Sequence, residues 1–564
     1  MQRPLSDLGL IGDRRTAALV DRDGTIRWYS PHRIDAPSIF YGLLDGGKGG
    51  WRVSFTDALP IERRYIGESA VLETRLGSGA GELCVTDWMT MGPGAHPGML
   101  CRAFSRAPAP LSISLDAWAA YGRCRLEPAL AGGAAVFDNG MHLFASQHLH
   151  RDEPGIRWTV PKGEEGWAVL ADSPCDPPLS SDIAKWRQAT MARWRELAAT
   201  TCHEGPYRAE IAASLRQLRL LVYEPTGAIA AAATLGLPEV PGGKRNYDYR
   251  YAWLRDSAMI VSAMLRTAGG SREGDAFLRF IDLSREHARR SPLDALVAVD
   301  GRPAPKETNP PLRGYRGSHP VRVGNRAARQ LQLGAFGNFL LAAGMIYHER
   351  GTRDHWESVE AVADFVATHW RQPDSGIWES PKQRQYTVSK AVCAGGLEAV
   401  APFASAVRRA RYQRAAEDIR HFVYRHCLTR EGAFAAFSGC DGVDVSAALY
   451  PAWSFCRSDS AEMEATMRVL HRDYERDRLF AREDETAEAD CEGAFLAGSF
   501  WVAQYWAARG DRDRARRYVD AGLAHANDLG IMPEEVSWRT GEALGNVPLG
   551  MAHASFLNAA ADLA

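Results

Sequence analysis

Paired cysteines are the first thing missing. The chain of 564 residues has ten cysteines, at 84, 101, 124, 175, 202, 393, 427, 440, 456 and 491, and no two stand at Cys-x-x-Cys spacing. That argues against zinc ribbons and thioredoxin-type redox sites and leaves the thiols as buried free groups. An excess of one charge is missing too. The 67 Lys plus Arg and 69 Asp plus Glu leave a formal net charge of -2, which gives no case for nucleic-acid binding by bulk charge. No window reaches the roughly 18 uninterrupted apolar residues of a membrane-spanning helix. The opening MQRPLSDLGLIGDRRTAALV has no apolar signal core because Asp13, Arg14 and Arg15 interrupt it, so the cytoplasm is the expected compartment. There is no Gly-x-Gly-x-x-Gly after a strand, no P-loop and no His-Glu-x-x-His, so neither cofactor nor metal is expected. What remains, 46% hydrophobic and 24% charged, is too apolar for disorder and ample for a large core.

The first 180 residues read as antiparallel β-structure. RTAALVDRDGTIRWYS holds two apolar runs around an Asp-Arg-Asp-Gly turn, a hairpin pattern. RVSFT, AVLETRL, LCVTDWM, LSISLDAWA, AAVFDNGMHLFAS and WAVLADS follow, divided by Gly, Pro and Asp; short strands at this spacing imply a sandwich. Near Ser181 the texture changes. IAKWRQATMARWRELAATT has apolar residues at helical spacing, and long amphipathic segments recur from there to the C-terminus. The expected organisation is a β-sandwich over 1–180, a helical linker over 181–204 and an all-helical domain over 205–564.

The loops between these helices mix Trp, Tyr and Arg with carboxylates, above all SGIWES and IMPEEVSWRTGEALGN. Aromatic rings that cover the apolar faces of pyranoses, beside charged groups that take their hydroxyls, suit a sugar site. GGKRNYDYRYAWLRDS, GYRGSHPVRVGN, SGIWES with QYTVSK, CEGAFLAGSFW and MPEEVSWRTGEALGNVPLGMAH occur in that order. Together with the opening IGDRRTAALVDRDGTIRWYSPHRIDAPSIF and EGPYRAEIAASLRQLRLLVYEPTGAIAAAATLGLPE, they resemble bacterial glycoside hydrolases of family 15, the glucoamylase and trehalase-like group, over nearly the whole chain.

The resemblance implies an N-terminal antiparallel β-sandwich followed by an (α/α)6 barrel with the active site at its mouth. It places Glu379 as general acid and Glu534 as general base. An inverting glycosidase needs these two, about 6.5–9.5 Å apart, to protonate the leaving oxygen and to activate water on the opposite face. Trp378 is expected to give Glu379 apolar surroundings, and Glu535 is the local rival for the base. Trp253, Arg255 and Asp256 are expected to grip the terminal glucose by charge-assisted hydrogen bonds. Asp248, Arg250 and Tyr251 are candidates for bracing that loop, and Tyr315, Arg316 and Trp538 for lining the pocket.

The implied activity is an inverting, exo-acting α-glucoside hydrolase that releases β-glucose, of glucoamylase or isomaltose type, with trehalase as the alternative. A disaccharide phosphorylase would need no carboxylate base, so an intact Glu534 argues against it, and a non-catalytic sugar-binding protein would not need both glutamates. The expected partner is a small α-glucoside, with no nucleic acid and no membrane. The linkage and any phosphate or Mg²⁺ requirement stay open. Several positions depart from the family pattern: Gly334 after QLQL, Asp490-Cys491 before EGAF, Val388 in Thr387-Val388-Ser389-Lys390, and Leu549.

Overall fold

The computed structural model describes residues 3–93, 96–153, 155–269, 271–288, 291–482 and 492–564; the expected departure at Asp490-Cys491 lies outside them. Two antiparallel sheets form the N-terminal domain. One runs Leu8–Gly12, Ala17–Asp21, Ile26–Tyr29, Gly50–Ser54, Leu111–Asp116, Ile156–Val160, His150–Arg151 in spatial order. The other runs Pro128–Ala131, Ala134–Phe137, His142–Ala145, Gly166–Ala171, Met99–Phe104, Gly81–Met89, Leu72–Ser78, Leu59–Tyr65. The Asp-Arg-Asp-Gly turn does join two paired strands, Ala17–Asp21 and Ile26–Tyr29, and Gly24 supplies the positive φ of 77° that the turn requires. Leu19, Trp51, Ile113 and Trp158 from one sheet and Leu76, Leu83, Phe104 and Leu170 from the other share one buried core. Helix α1 (Ser180–Ala198) follows and covers the second sheet's outer face, setting Ile183 and Trp186 among Val71, Trp88, Met99 and Val169.

The remaining helices are α2 (Arg208–Leu221), α3 (Leu254–Ala268), α4 (Ser271–Arg285), α5 (Leu333–Arg350), α6 (Trp356–His369), α7 (Thr387–Val400), α8 (Ala406–His426), α9 (Ala461–Val469), α10 (Leu496–Ala508), α11 (Arg512–Leu523) and α12 (Gly550–Asp562). They alternate between an outer and an inner ring. In the inner ring α10 meets α12, α12 meets α3, α3 meets α5 and α5 meets α7. A short 3-10 turn, Val445–Leu449, packed on α10, fills the sixth place. This is the (α/α)6 barrel that the family resemblance implies. Sequence follows position: α10 buries every residue from Leu496 to Tyr505, whereas outer α8 buries only Tyr412, Ala415, Ala416, Ile419 and Val423, one stripe of an amphipathic helix.

Helix α7 holds two adjacent glycines, each costing about 1 kcal/mol of helix propensity. Packing explains them. A β-carbon on Gly396 would stand 2.6 Å from the Gly337 carbonyl oxygen, and one on Gly337 of α5 would stand 2.6 Å from the Val392 backbone carbon. The two helices therefore touch backbone to backbone. Gly337→Ala should force them apart and lower the melting temperature by about 1–4 °C, since overpacking costs about 1–3 kcal/mol. Gly334→Ala on the same helix, where the new carbon would meet nothing closer than 3.4 Å, should leave it unchanged. Equal melting temperatures for both variants would refute the close approach.

The inner helices direct their N-terminal ends to one side of the barrel. Loops entering α3, α5, α7, α10 and α12 converge there, stiffened by two small sheets, Ala252–Trp253 with Leu296–Val297, and Ala494–Phe495 with Glu535–Val536 and Ala543–Leu544. Each helix start carries partial positive charge, which favours carboxylates placed around it.

Candidate active site

At that end lies a cavity of about 310 Å³, whose walls include Tyr249, Trp253, Arg255, Asp256, Gln330, Trp378, Glu379, Arg482, Phe495 and Glu534. Glu379 and Glu534, far apart in sequence, both face it. The segment NYDYRYAW brings the first elements in. Running extended, it turns Tyr247, Tyr249 and Trp253 to the cavity. The even positions point the other way: Asp248 and Arg250 form a fully buried ion pair at 2.9 Å. Arg250 also donates to the Ala36 carbonyl of the sandwich, so the pair braces this strand against the N-terminal domain.

Glu379 accepts a hydrogen bond from Trp253 Nε1 at 2.6 Å and lies 3.4 Å from Arg255 Nη1. Arg255 also donates to Asp256, at 2.6 Å, and to the Ile377 carbonyl, at 2.7 Å. The Glu379 backbone is left-handed, with φ of 60°, a conformation that costs a side-chain-bearing residue on the order of 1–3 kcal/mol and is held only by its surroundings. Here Gln330 Nε2 donates to its carbonyl at 2.8 Å, and Ser380 N closes the loop onto Ser375 O at 2.9 Å. Burial pushes the Glu379 carboxyl up, and the Arg255 charge opposes the shift. Its Oε2 has no hydrogen-bond partner among the described residues.

Glu534 is more enclosed, 2% exposed. Tyr249 donates to its Oε1 at 2.9 Å and the Asn546 amide to its Oε2 at 3.1 Å. Both oxygens thus accept, the arrangement that suits a carboxylate. Gly545 is required beside it, because a β-carbon there would meet Glu534 Oε2 at 2.4 Å. Burial and the like charge of Glu239 raise the Glu534 carboxyl, with Arg482 opposing. An edge-to-face contact of Tyr249 and Trp253, 5.5 Å between centroids, stands between the two donors, so each carboxyl is held by its own ring.

The neighbouring Glu535 points away from the cavity. Its Oε2 accepts from the Gly493 amide at 3.0 Å, and it joins Glu239 and Glu492 around one guanidinium, that of Arg482, at 3.2, 2.8 and 2.6 Å. These three carboxylates are close enough to hold a cation, but Arg482 already meets all three and Arg245 pairs with Glu492. Trp378 lines the cavity, yet its indole donates to Asp444 at 2.6 Å and packs edge-on against Phe495. The donor to Glu379 is Trp253 instead.

Three expected lining residues lie elsewhere. The GYRG loop turns toward the sandwich through positive φ at Gly314, Arg316 and Gly317. Tyr315 donates to the Arg3 carbonyl at 2.7 Å, and Arg316 pairs with Glu542 at 2.9 Å. Trp538 packs beneath the Arg476 guanidinium, 5.2 Å from its ring centre. None of the three lines the cavity. Tyr251 is buried behind it, in a cluster with Leu296 and Ala298. Conversely, Tyr249, Glu239, Arg482, Glu307, Arg322 and Arg326 line the cavity without having been singled out from the sequence. The period-2 alternation of NYDYRYAW was the available signal for Tyr249; for the others no local pattern exists.

No helix among the described residues is long and apolar enough to cross a membrane. The sequence profile of "Trehalase-like, N-terminal" matches residues 1–173, and that of "Glycosyl hydrolases family 15" matches 205–509. A trehalase of Mycolicibacterium smegmatis is 30% identical, with 99% of this chain and 90% of the relative covered. A trehalase of Thermoplasma volcanium is 27% identical over 98% and 93%. Among solved structures, a bacterial glucoamylase complexed with acarbose superimposes with a TM-score of 0.74 at 13% identity, covering 100% of this chain and 94% of that one. Profile, full-length relatives and fold agree: the chain belongs to glycosyl hydrolase family 15 and is a glycosidase acting on a small sugar substrate.

Proposed function

We propose that the protein is an inverting trehalase, with Glu379 as general acid and Glu534 as general base. The observation that carries the reading is that two separately held carboxyls line one cavity. Burial raises the proton affinity of both carboxyls, so hydrogen bonding separates their roles: Glu379 keeps an oxygen free on which to present a proton, and so can protonate the glycosidic oxygen. Glu534, with both oxygens already accepting, can draw a proton from water on the opposite face. Arg255 and Asp256, a preformed donor–acceptor pair, suit the hydroxyls of the glucose being cleaved.

Two further facts support trehalose as the substrate. Sequence reading ranks glucoamylase-type glucosides first and trehalose second; the relatives that align over almost the full chain are named trehalases, which reverses that order. The cavity, about 310 Å³, lies within the range of small-ligand sites, roughly 300–1,000 Å³, and has room for a disaccharide. Incubation with trehalose, maltose, isomaltose, kojibiose, nigerose and starch should yield glucose fastest from trehalose, with no glucose 1-phosphate. Preference for another glucoside would overturn the trehalase reading and leave the hydrolase standing.

Glu379→Gln and Glu534→Gln should each lower kcat on trehalose by at least about 10²-fold, the lower end of what one acid or base contributes. Gln keeps the size of the side chain, so the melting temperature should hold. Activity within threefold of wild type would remove that residue from its role.

The acid limb of the pH profile should lie above the ordinary carboxylate range, because Glu534 acts ionised and its pKa is raised. Glu239→Gln removes a like charge, and it also frees Arg482 to act on Glu534; both changes favour the ionised form. The acid limb of kcat/KM should therefore move to lower pH, by roughly one unit. An unmoved limb would show that Glu239 does not govern the base.

A further inference from the structure

The cavity has a floor and a rim, and burial tells them apart. The side chains of Arg255 and Asp256 are 10% and 5% exposed, and Glu534 is 2% exposed. Arg326, on the same cavity, is 81% exposed. A glucosyl unit reached by both catalytic carboxyls sits at the floor, so the leaving sugar extends toward the rim on the side of the acid. The segment that flanks the acid on that side is 326–330. Gln330 donates to the Glu379 carbonyl at 2.8 Å, and Arg326, Ala327 and Gln330 all line the wall.

A second carboxylate–guanidinium group stands there. Glu307 Oε1 lies 2.8 Å from Arg326 Nε and 3.5 Å from Arg322 Nε, with the Glu307 side chain only 10% exposed. Its backbone is fixed. Thr308 and Val323 exchange hydrogen bonds of 2.8 and 2.9 Å, and the Gly324 amide donates to Asp248 at 3.1 Å. The Asn325 side chain caps the turn that carries Arg326, accepting from Ala327 N at 2.9 Å. Glu307 is thus held in place, while Arg326, largely exposed, is ordered less tightly than Arg255 at the floor; the group still sets one acceptor beside planar donors, the pattern that meets vicinal hydroxyls.

We propose that Glu307, Arg322 and Arg326 form the subsite for the leaving sugar, and that this second charged pair selects a leaving hexose with its ring hydroxyls free. The proposal rests on the trehalase reading, and the symmetry is what trehalose demands: both of its glucoses are non-reducing and present the same hydroxyls, so a site with two like grips accepts it from end to end. Leaving groups without those hydroxyls gain nothing from the rim.

α-Glucosyl fluoride separates the two grips, because its leaving group is a single atom that cannot reach Glu307. In Glu307→Gln and Arg326→Met, kcat/KM for trehalose should fall about 10–100-fold relative to kcat/KM for the fluoride, the range expected for a lost charged hydrogen bond. Arg326→Lys, which keeps the charge but not the planar fork, should recover part of the ratio. A ratio within threefold of wild type, whether both rates fall or neither does, would overturn the subsite and leave these residues as supports of the loop. A wild-type enzyme that cleaves the fluoride and another disaccharide but not trehalose would sink the trehalase reading instead. The same ratio, taken with that disaccharide, would then still decide the role of the rim.

Discussion

Two carboxyls, one buried and one partly so, must be drawn from water here and still remain able to give or take a proton. A buried polar group left without partners costs about 1–3 kcal/mol, and a charged one more. The structure answers with one aromatic donor for each carboxyl, Trp253 for Glu379 and Tyr249 for Glu534. Both rings come from a single extended segment, so one short piece of chain sets the spacing of the two carboxyls. The loop geometry follows from this demand. Glu379 occupies a left-handed backbone position that its neighbours enforce, and Gly545 is bare because the Glu534 carboxylate fills the space of a side chain.

Charge balance extends the same logic outward. Cavity and backing wall together gather Glu239, Glu379, Glu492, Glu534 and Glu535, more acid than a desolvated region holds unaided. Arg482 shares one guanidinium among three of them, and the N-terminal ends of five inner helices face the same side. The sandwich contributes by holding the scaffold. Arg250, buried with Asp248, reaches the Ala36 carbonyl, and Asp35 accepts from the Val299 amide at 3.1 Å, next to the strand that pairs with Ala252–Trp253. The N-terminal domain thus stiffens the back of the site, and none of its described residues lines the cavity.

The division into a β part and a helical part was legible because both write their period plainly: alternation in strands such as Leu72–Ser78, and apolar stripes in helices such as α8. Glu379, Glu534, Trp253, Arg255, Asp256 and Trp378 were legible through their flanking motifs, and all six line the cavity. What failed was orientation. Tyr315 and Arg316 sit in a motif as specific as the others, but three positive-φ residues turn that loop to the sandwich, and no sequence period encodes such a turn. Trp378 stands next to the acid in sequence and turns its indole to Asp444, because neighbouring side chains diverge. Glu307 and Arg326 escaped notice for the opposite reason: their partnership depends on pairing between Thr308 and Val323, a tertiary contact with no local signature.

The central claim is that water attacks once, from the face opposite the departing sugar, with Glu379 and Glu534 as acid and base. Proton NMR of the first turnovers on trehalose, read before mutarotation, tests it most directly. The glucose that is attacked emerges inverted, while the leaving glucose keeps its own anomeric bond, so α- and β-glucose should appear in equal amounts. α-Glucose alone would mean retention through a glycosyl-enzyme, and would contradict the roles given to both carboxyls.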